Sequence, residues 1–158
     1  MSDTAERLGN VLMSKGKTIA VAESCTGGLF CNTVTNIPGS SAFFLGGIIA
    51  YSNEAKTQVL GVPAEAMANH GAVSAKTALA MAFGALDHLA SDIAVAITGI
   101  AGPSGGSEAK PVGTVFIAVA SEENMVTQEF HFSGPRAEIK QQSVNAAIEL
   151  AINFLTEE

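Results

Sequence analysis

Three side chains capable of nucleophilic attack stand side by side in AVAESCTGG, residues 20–28: Ser24, Cys25 and Thr26, followed by the pair Gly27 and Gly28. A serine hydroxyl is inert at neutral pH unless a neighbouring base takes its proton. A second segment, YSNEAK at 51–56, supplies Tyr51 and Lys56. Lysine is such a base only when neutral, which requires burial or a nearby cation to bring its pKa down by about 3 units from the ordinary value near ~10.4. A cysteine at the start of a helix can be activated by the dipole there, but a catalytic thiol usually works with a histidine. The three histidines, His70, His88 and His131, lie in segments with no other catalytic signature, so Cys25 ranks behind Ser24.

Two further segments complete the set. TGIAGPSGGSEAKPVGT, residues 98–114, is too glycine-rich for a core element and too long for a simple turn. Thr98, Gly99 and the backbone amides there can hold a ligand, although a flexible surface loop reads the same way. The segment lacks both the phosphate-loop and the dinucleotide glycine spacings. Arg136, in SGPR, opens the last helix, where the dipole disfavours a cation unless an anion is held too. Each residue also has a plain structural reading: Ser24 or Thr26 as a helix cap, Lys56 on a solvated helix, Arg136 as an exposed arginine.

The elements that must position these groups can be read from periodicity. Residues 3–15 form a helix with Asp3 as cap and Ala5, Leu8 and Leu12 on one face. KTIAVAES is a buried strand that ends at Ser24, and CTGGLFCNTVTNI turns into a helix. SAFFLGGIIAYS is a second strand, and NEAKTQVLG a helix capped by Asn53. Pro63 opens a short helix, and Ser74 caps a clearer one through SAKTALAMAFGALDHLA. DIAVAITGIA is a third buried strand. TVFIAVASE and NMVTQEFHFS make a hairpin whose second arm is an edge strand. The last helix buries Ile139, Val144, Ile148, Ala151 and Leu155. Interleaved strands and helices followed by a hairpin predict a three-layer α/β/α domain with a mixed sheet. Ser24, Tyr51, Lys56 and Thr98 then all fall at strand ends, where one pocket can gather them.

Composition bounds the partners. The 158 residues suit a single domain with one sizeable core, and the absence of Trp makes that core aliphatic and alanine-rich. Packed alanine implies a close approach of helix to sheet. A net charge of −7 with eight Lys and Arg argues against nucleic acid. No apolar run reaches membrane-spanning length, and no leader peptide is apparent. The two cysteines read as reduced thiols of a cytoplasmic protein, and no Cys/His cluster suggests a metal.

AESCTGG, GSSAFFLGGIIAYSNEAK, HGAVS, TGIAGPSGGSEAKPVGTV and FSGPR, in this order, resemble the CinA C-terminal-domain family, and in particular its stand-alone nicotinamide mononucleotide (NMN) deamidases. The resemblance covers nearly the whole chain, read as one domain over residues 1–158. It implies hydrolysis of NMN to nicotinic acid mononucleotide and ammonia, without metal or cofactor, in pyridine-nucleotide recycling. It implies Ser24 as nucleophile, Lys56 as base, Tyr51 as orienting or proton-relaying group, and Arg136 on the phosphate. Thr26, Gly27, Gly28, Thr98 and Gly99 would complete the substrate site, with the Gly27 and Gly28 amides on the oxyanion. It further implies a homo-oligomer. The pyrophosphatase activity linked to the second, N-terminal domain of many members is not expected here. The alternative is an inactive nucleotide-binding module of the family with a competence or DNA-damage partner.

Overall fold

The computed structural model describes residues 2–157. Its elements are α1 (Ser2–Lys15), β1 (Ile19–Glu23), α2 (Leu29–Thr35), β2 (Phe44–Ile49), α3 (Asn53–Leu60), α4 (Ala64–His70), α5 (Ala75–Leu89), β3 (Ile93–Gly99), β4 (Thr114–Ser121), β5 (Met125–His131) and α6 (Arg136–Thr156). The five strands form one sheet in the order β2-β1-β3-β4-β5. β1 runs parallel to both β2 and β3, whereas β4 and β5 are added antiparallel as the expected hairpin.

Strand side chains alternate in size as well as direction. Ile19, Val21, Ile93, Val95, Ile97, Val115, Ile117 and Val119 point into one core with α1, α2 and α6. Ala20, Ala22, Ala94, Ala96, Ala118 and Ala120 point the other way, towards Ala78, Met81, Ala82 and Ala85 of α5. The small face lets α5 lie close to the sheet, as the alanine content predicts. α3 approaches α5 just as tightly: a Cβ on Gly84 would stand 2.1 Å from the Leu60 carbonyl oxygen. Helices thus cover both faces of a mixed sheet, the α/β/α arrangement expected.

Two caps differ from expectation. Ser52, not Asn53, caps α3, its Oγ accepting from the Ala55 amide at 3.0 Å. Asp3 lies inside the first turn of α1 rather than before it. At α3 the sequence offers two adjacent residues of capping type, and backbone geometry chooses between them. Ser74 caps α5 as expected, accepting from the Thr77 amide. No helix among the described residues is long and apolar enough to cross a membrane.

Candidate active site

The topology creates a crevice before any side chain is considered. The chain leaves β1 for β2 on one side, and leaves β3 for β4 on the other. Ligands of open α/β sheets sit at such a reversal, beyond the carboxyl ends of the strands. Glu23 is in register with both Ile49 and Ile97, so the residues that follow β1 and β2 emerge beside Thr98 of β3. A cavity of about 340 Å³ opens there, and its lining includes Ser24, Cys25, Tyr51, Lys56, Thr98 and Arg136. A larger depression, about 620 Å³, lies by the opposite strand ends against Asp87, Asp92, Glu122 and Glu123 and gathers none of the predicted site residues.

Ser24 is fixed by its backbone. Its amide donates to the Ile97 carbonyl at 3.0 Å, and the Ala50 amide donates to Glu23 at 2.9 Å, tying the three strand ends together. Lys56, on the first turns of α3, is 2% exposed and places Nζ 2.9 Å from Ser24 Oγ. Nζ also donates to the Tyr51 carbonyl at 3.0 Å. Burial pushes the Lys56 pKa below its ordinary value, and the weaker opposing influence is the Cys25 sulfur. Among the described residues no carboxylate forms an ion pair with Lys56. Nζ donates to both oxygens as placed, and in its neutral form the same amine would keep one N–H on Tyr51 and offer its lone pair to the Ser24 hydroxyl.

Cys25 lines the same cavity, but burial pushes its thiol up to about 12, and the nearby Glu23 pushes in the same direction. The cysteine's own backbone amide pulls it down, as Lys56 and Lys140 do less strongly, and burial outweighs all three. The thiolate a nucleophile needs is therefore suppressed, contrary to the activation a helix start alone would suggest.

The loop after Ser24 corrects a second expectation. Glu23, fully buried, turns its carboxylate onto the start of α2. Oε1 accepts from Thr26 Oγ1 at 2.6 Å and from the Gly28 and Phe30 amides, while Oε2 accepts from the Cys31 amide. The Gly27 amide donates to the Ser24 carbonyl. Thr26, Gly27 and Gly28 thus shape the turn and lie outside the cavity lining, with the Thr26 hydroxyl and the Gly27 and Gly28 amides already used. Of the amides that follow Ser24, that of Thr26 makes no hydrogen bond among the described residues, whereas that of Cys25 meets its own sulfur. Sequence reasoning missed Glu23 because a carboxylate ending an apolar strand reads as a strand boundary. Glu23→Gln is expected to lower unfolding free energy by about 2–3 kcal/mol, since an amide nitrogen would face a backbone N–H. Urea denaturation checks this, and an unchanged midpoint would remove Glu23 from its role as keystone of the turn.

The remaining predicted residues fall at the cavity with distinct partners. Thr98 is 1% exposed and its hydroxyl donates to the Ala72 carbonyl at 2.9 Å, so it braces the wall. Gly99 follows it along the lining. Arg136 reaches back from α6 to donate to the Gly102 carbonyl and, at 3.0 Å, to the Tyr51 hydroxyl. It is thus Tyr51's carbonyl that holds Lys56, while its phenol holds Arg136. Asn53 and Ser104 also line the cavity and were not singled out, although Asn53 sits inside the segment that carries Lys56. No carboxylate appears in the lining, although the chain carries 15 Asp and Glu. Arg136 and Lys56 are the basic side chains among the described lining residues of this acidic protein. No group of three or more metal-ligating side chains occurs among the described residues.

Residues 1–155 match the family model described as the CinA C-terminal domain. The chain belongs to the CinA C-terminal domain family. Relatives include a Caldicellulosiruptor bescii protein provisionally named competence-damage inducible, 54% identical over 89% of this chain and 34% of that protein. A CinA-like protein of Chloroherpeton thalassium is 56% identical over 79% of this chain and 30% of its own length. The chain thus spans about a third of the length of these curated CinA relatives. Crystal structures agree over nearly the whole fold. A competence/damage inducible protein from Agrobacterium tumefaciens has a TM-score of 0.92 at 42% identity, covering 96% of this chain and 94% of that one. A CinA superfamily protein from Klebsiella pneumoniae has a TM-score of 0.96 at 34% identity, covering 99% and 98%.

Proposed function

We propose that the chain is an amidohydrolase that converts NMN and water to nicotinic acid mononucleotide and ammonia, in pyridine-nucleotide recycling. The observation that carries this reading is the buried 2.9 Å contact between Ser24 Oγ and an amine whose pKa is lowered. A neutral amine touching a serine hydroxyl serves acyl transfer, and has little use in a site that only binds.

In this reading Lys56 takes the Ser24 proton as Oγ bonds to the carboxamide carbon. The carbonyl oxygen becomes an oxyanion, and the Thr26 amide, which makes no hydrogen bond among the described residues, is a donor close in sequence to meet it. The C–N bond then breaks, with the proton on Lys56 passing to the departing nitrogen, so that ammonia leaves and a Ser24 ester remains. Water attacks that ester, Lys56 again accepting and returning a proton, and the carboxylate product is released. Tyr51 contributes through its carbonyl, which holds the amine in line throughout.

The acid-free lining and the exposed Arg136 guanidinium suit the phosphate of a mononucleotide. Arg136→Ala is expected to raise KM for NMN by about 10–100-fold with kcat little changed, the loss of one or two charge-assisted hydrogen bonds. Nicotinamide riboside, which lacks the phosphate, should show little change. Steady-state kinetics on both substrates check this, and an equal loss on both would contradict the phosphate role. The reaction itself is tested by product analysis, which should find nicotinic acid mononucleotide and ammonia in equal amounts. NMN that binds but stays intact would favour the nucleotide-binding alternative, for which the names of the relatives are the support.

A further inference from the structure

The segment between α4 and α5, residues 71–74, forms one wall of the cavity through Ala72 and Val73. It is neither helix nor strand, so its carbonyls have no ladder to join. Side chains meet them instead. Ser74 Oγ and Thr77 Oγ1 both donate to the Gly71 carbonyl, and Thr98 Oγ1 donates to that of Ala72. The carbonyls on either side, His70 and Val73, both accept from Lys110 Nζ, at 2.8 and 2.5 Å.

Lys110 comes from the far end of the glycine-rich loop, whose residues Ile100–Gly102, Ser104 and Gly105 contribute to the cavity lining. Its backbone is fixed before its side chain reaches out. The Ser107 amide donates to the Lys110 carbonyl, and the Lys110 amide donates to Ser107 Oγ. The ammonium lies 6.0 Å from the centroid of the Phe116 ring, and Phe116 is the cross-strand partner of Thr98. Gly71 admits it: a Cβ there would stand 3.1 Å from Nζ, and the residue's φ of +88° suits glycine.

We propose that Lys110 is a positioning residue for the substrate cavity. Its ammonium latches the 70–73 wall to the glycine-rich loop and so sets the width of the space facing Ser24. The latch is a property of the fold; the substrate used to read it rests on the amidohydrolase reading above. Lysine suits the task because one compact cation carries three donors and can serve two carbonyls at once. Methionine would leave both carbonyls to solvent and free the two walls to separate.

The test compares wild type, Lys110→Met and Lys110→Arg by hydrogen–deuterium exchange and by NMN kinetics. In Lys110→Met, exchange in 70–74 and 99–105 should both quicken by about 10-fold, as a local opening becomes easier without global unfolding. KM for NMN should rise about 10-fold with kcat within about 3-fold, because the wall orients substrate and does not touch the reacting atoms. Lys110→Arg, which retains the donors, should recover most of both effects. Unchanged exchange in 70–74 would overturn the latch, as would a fall in kcat at unchanged KM. If the wild type releases no ammonia from NMN, the amidohydrolase reading fails while exchange alone decides the latch. Should Lys110→Met not fold, Lys110→Gln, with a single amide donor group, carries the same comparison.

Discussion

Ser24→Ala is expected to reduce NMN turnover by about 10⁴-fold or more while leaving fold and NMN affinity close to wild type. The size of the loss follows from the chemistry. Without Oγ no acyl-enzyme can form, and what remains is the effect of a bound carboxamide near an amine and the Thr26 amide. The fold should survive because Ser24 is held by its amide to Ile97, and its side chain makes one hydrogen bond among the described residues, with Lys56. Calorimetric titration with NMN separates the two outcomes. Retained binding with lost turnover identifies the nucleophile, whereas lost binding would make Ser24 a substrate contact. Cys25→Ala should retain most activity, since a thiol pushed up to about 12 contributes little thiolate at neutral pH.

The second large effect is expected at Lys56. Lys56→Met retains much of the side-chain volume but cannot accept the Ser24 proton, and kcat should fall by about 10³-fold, within the range for loss of a positioned base. The wild-type profile of kcat/KM should rise with pH on an acidic limb whose pKa lies below the ordinary lysine value, because the protonated amine is inactive as a base. Stability carries the same signature with a definite sign. In the folded chain Lys56 gives up its proton at lower pH than in the unfolded chain. Between those two pKa values the unfolded state binds the extra proton, so stability rises with pH across that window and is lowest below it. The unfolding free energy of wild type minus that of Lys56→Met should therefore grow as pH increases towards 10.5. A flat difference, or a kcat/KM profile without the acidic limb, would remove Lys56 from the role of neutral base.

How much of this was legible in the sequence depends on the range of the interaction. β1 and β3 could be read directly, because short apolar runs with β-branched residues are buried strands, and both end at the residues that carry the site. Placing Ser24, Tyr51, Lys56 and Thr98 at one edge needed only parallel neighbours, which the register of Glu23 with Ile49 and Ile97 supplies. The division of labour within Tyr51 was not legible, since a carbonyl and a phenol of one residue serve different partners. Nor was the use of the Thr26–Gly28 turn. Those residues look like a ligand cradle until the buried Glu23 carboxylate is seen to take the Thr26 hydroxyl and the Gly28 amide, and the Ser24 carbonyl the Gly27 amide. The state of Cys25 depends on burial, which a helix start does not reveal. Lys110 reads as a loop lysine because the carbonyls it meets lie 37 and 40 residues away in the chain.

The most direct measurement is ammonia release from NMN by the purified protein, with Ser24→Ala and Cys25→Ala assayed beside it. Steady release by the wild type and by Cys25→Ala, with none above background from Ser24→Ala, is the expected result. Release that persists in Ser24→Ala, or that disappears with Cys25→Ala instead, would contradict the serine–lysine mechanism.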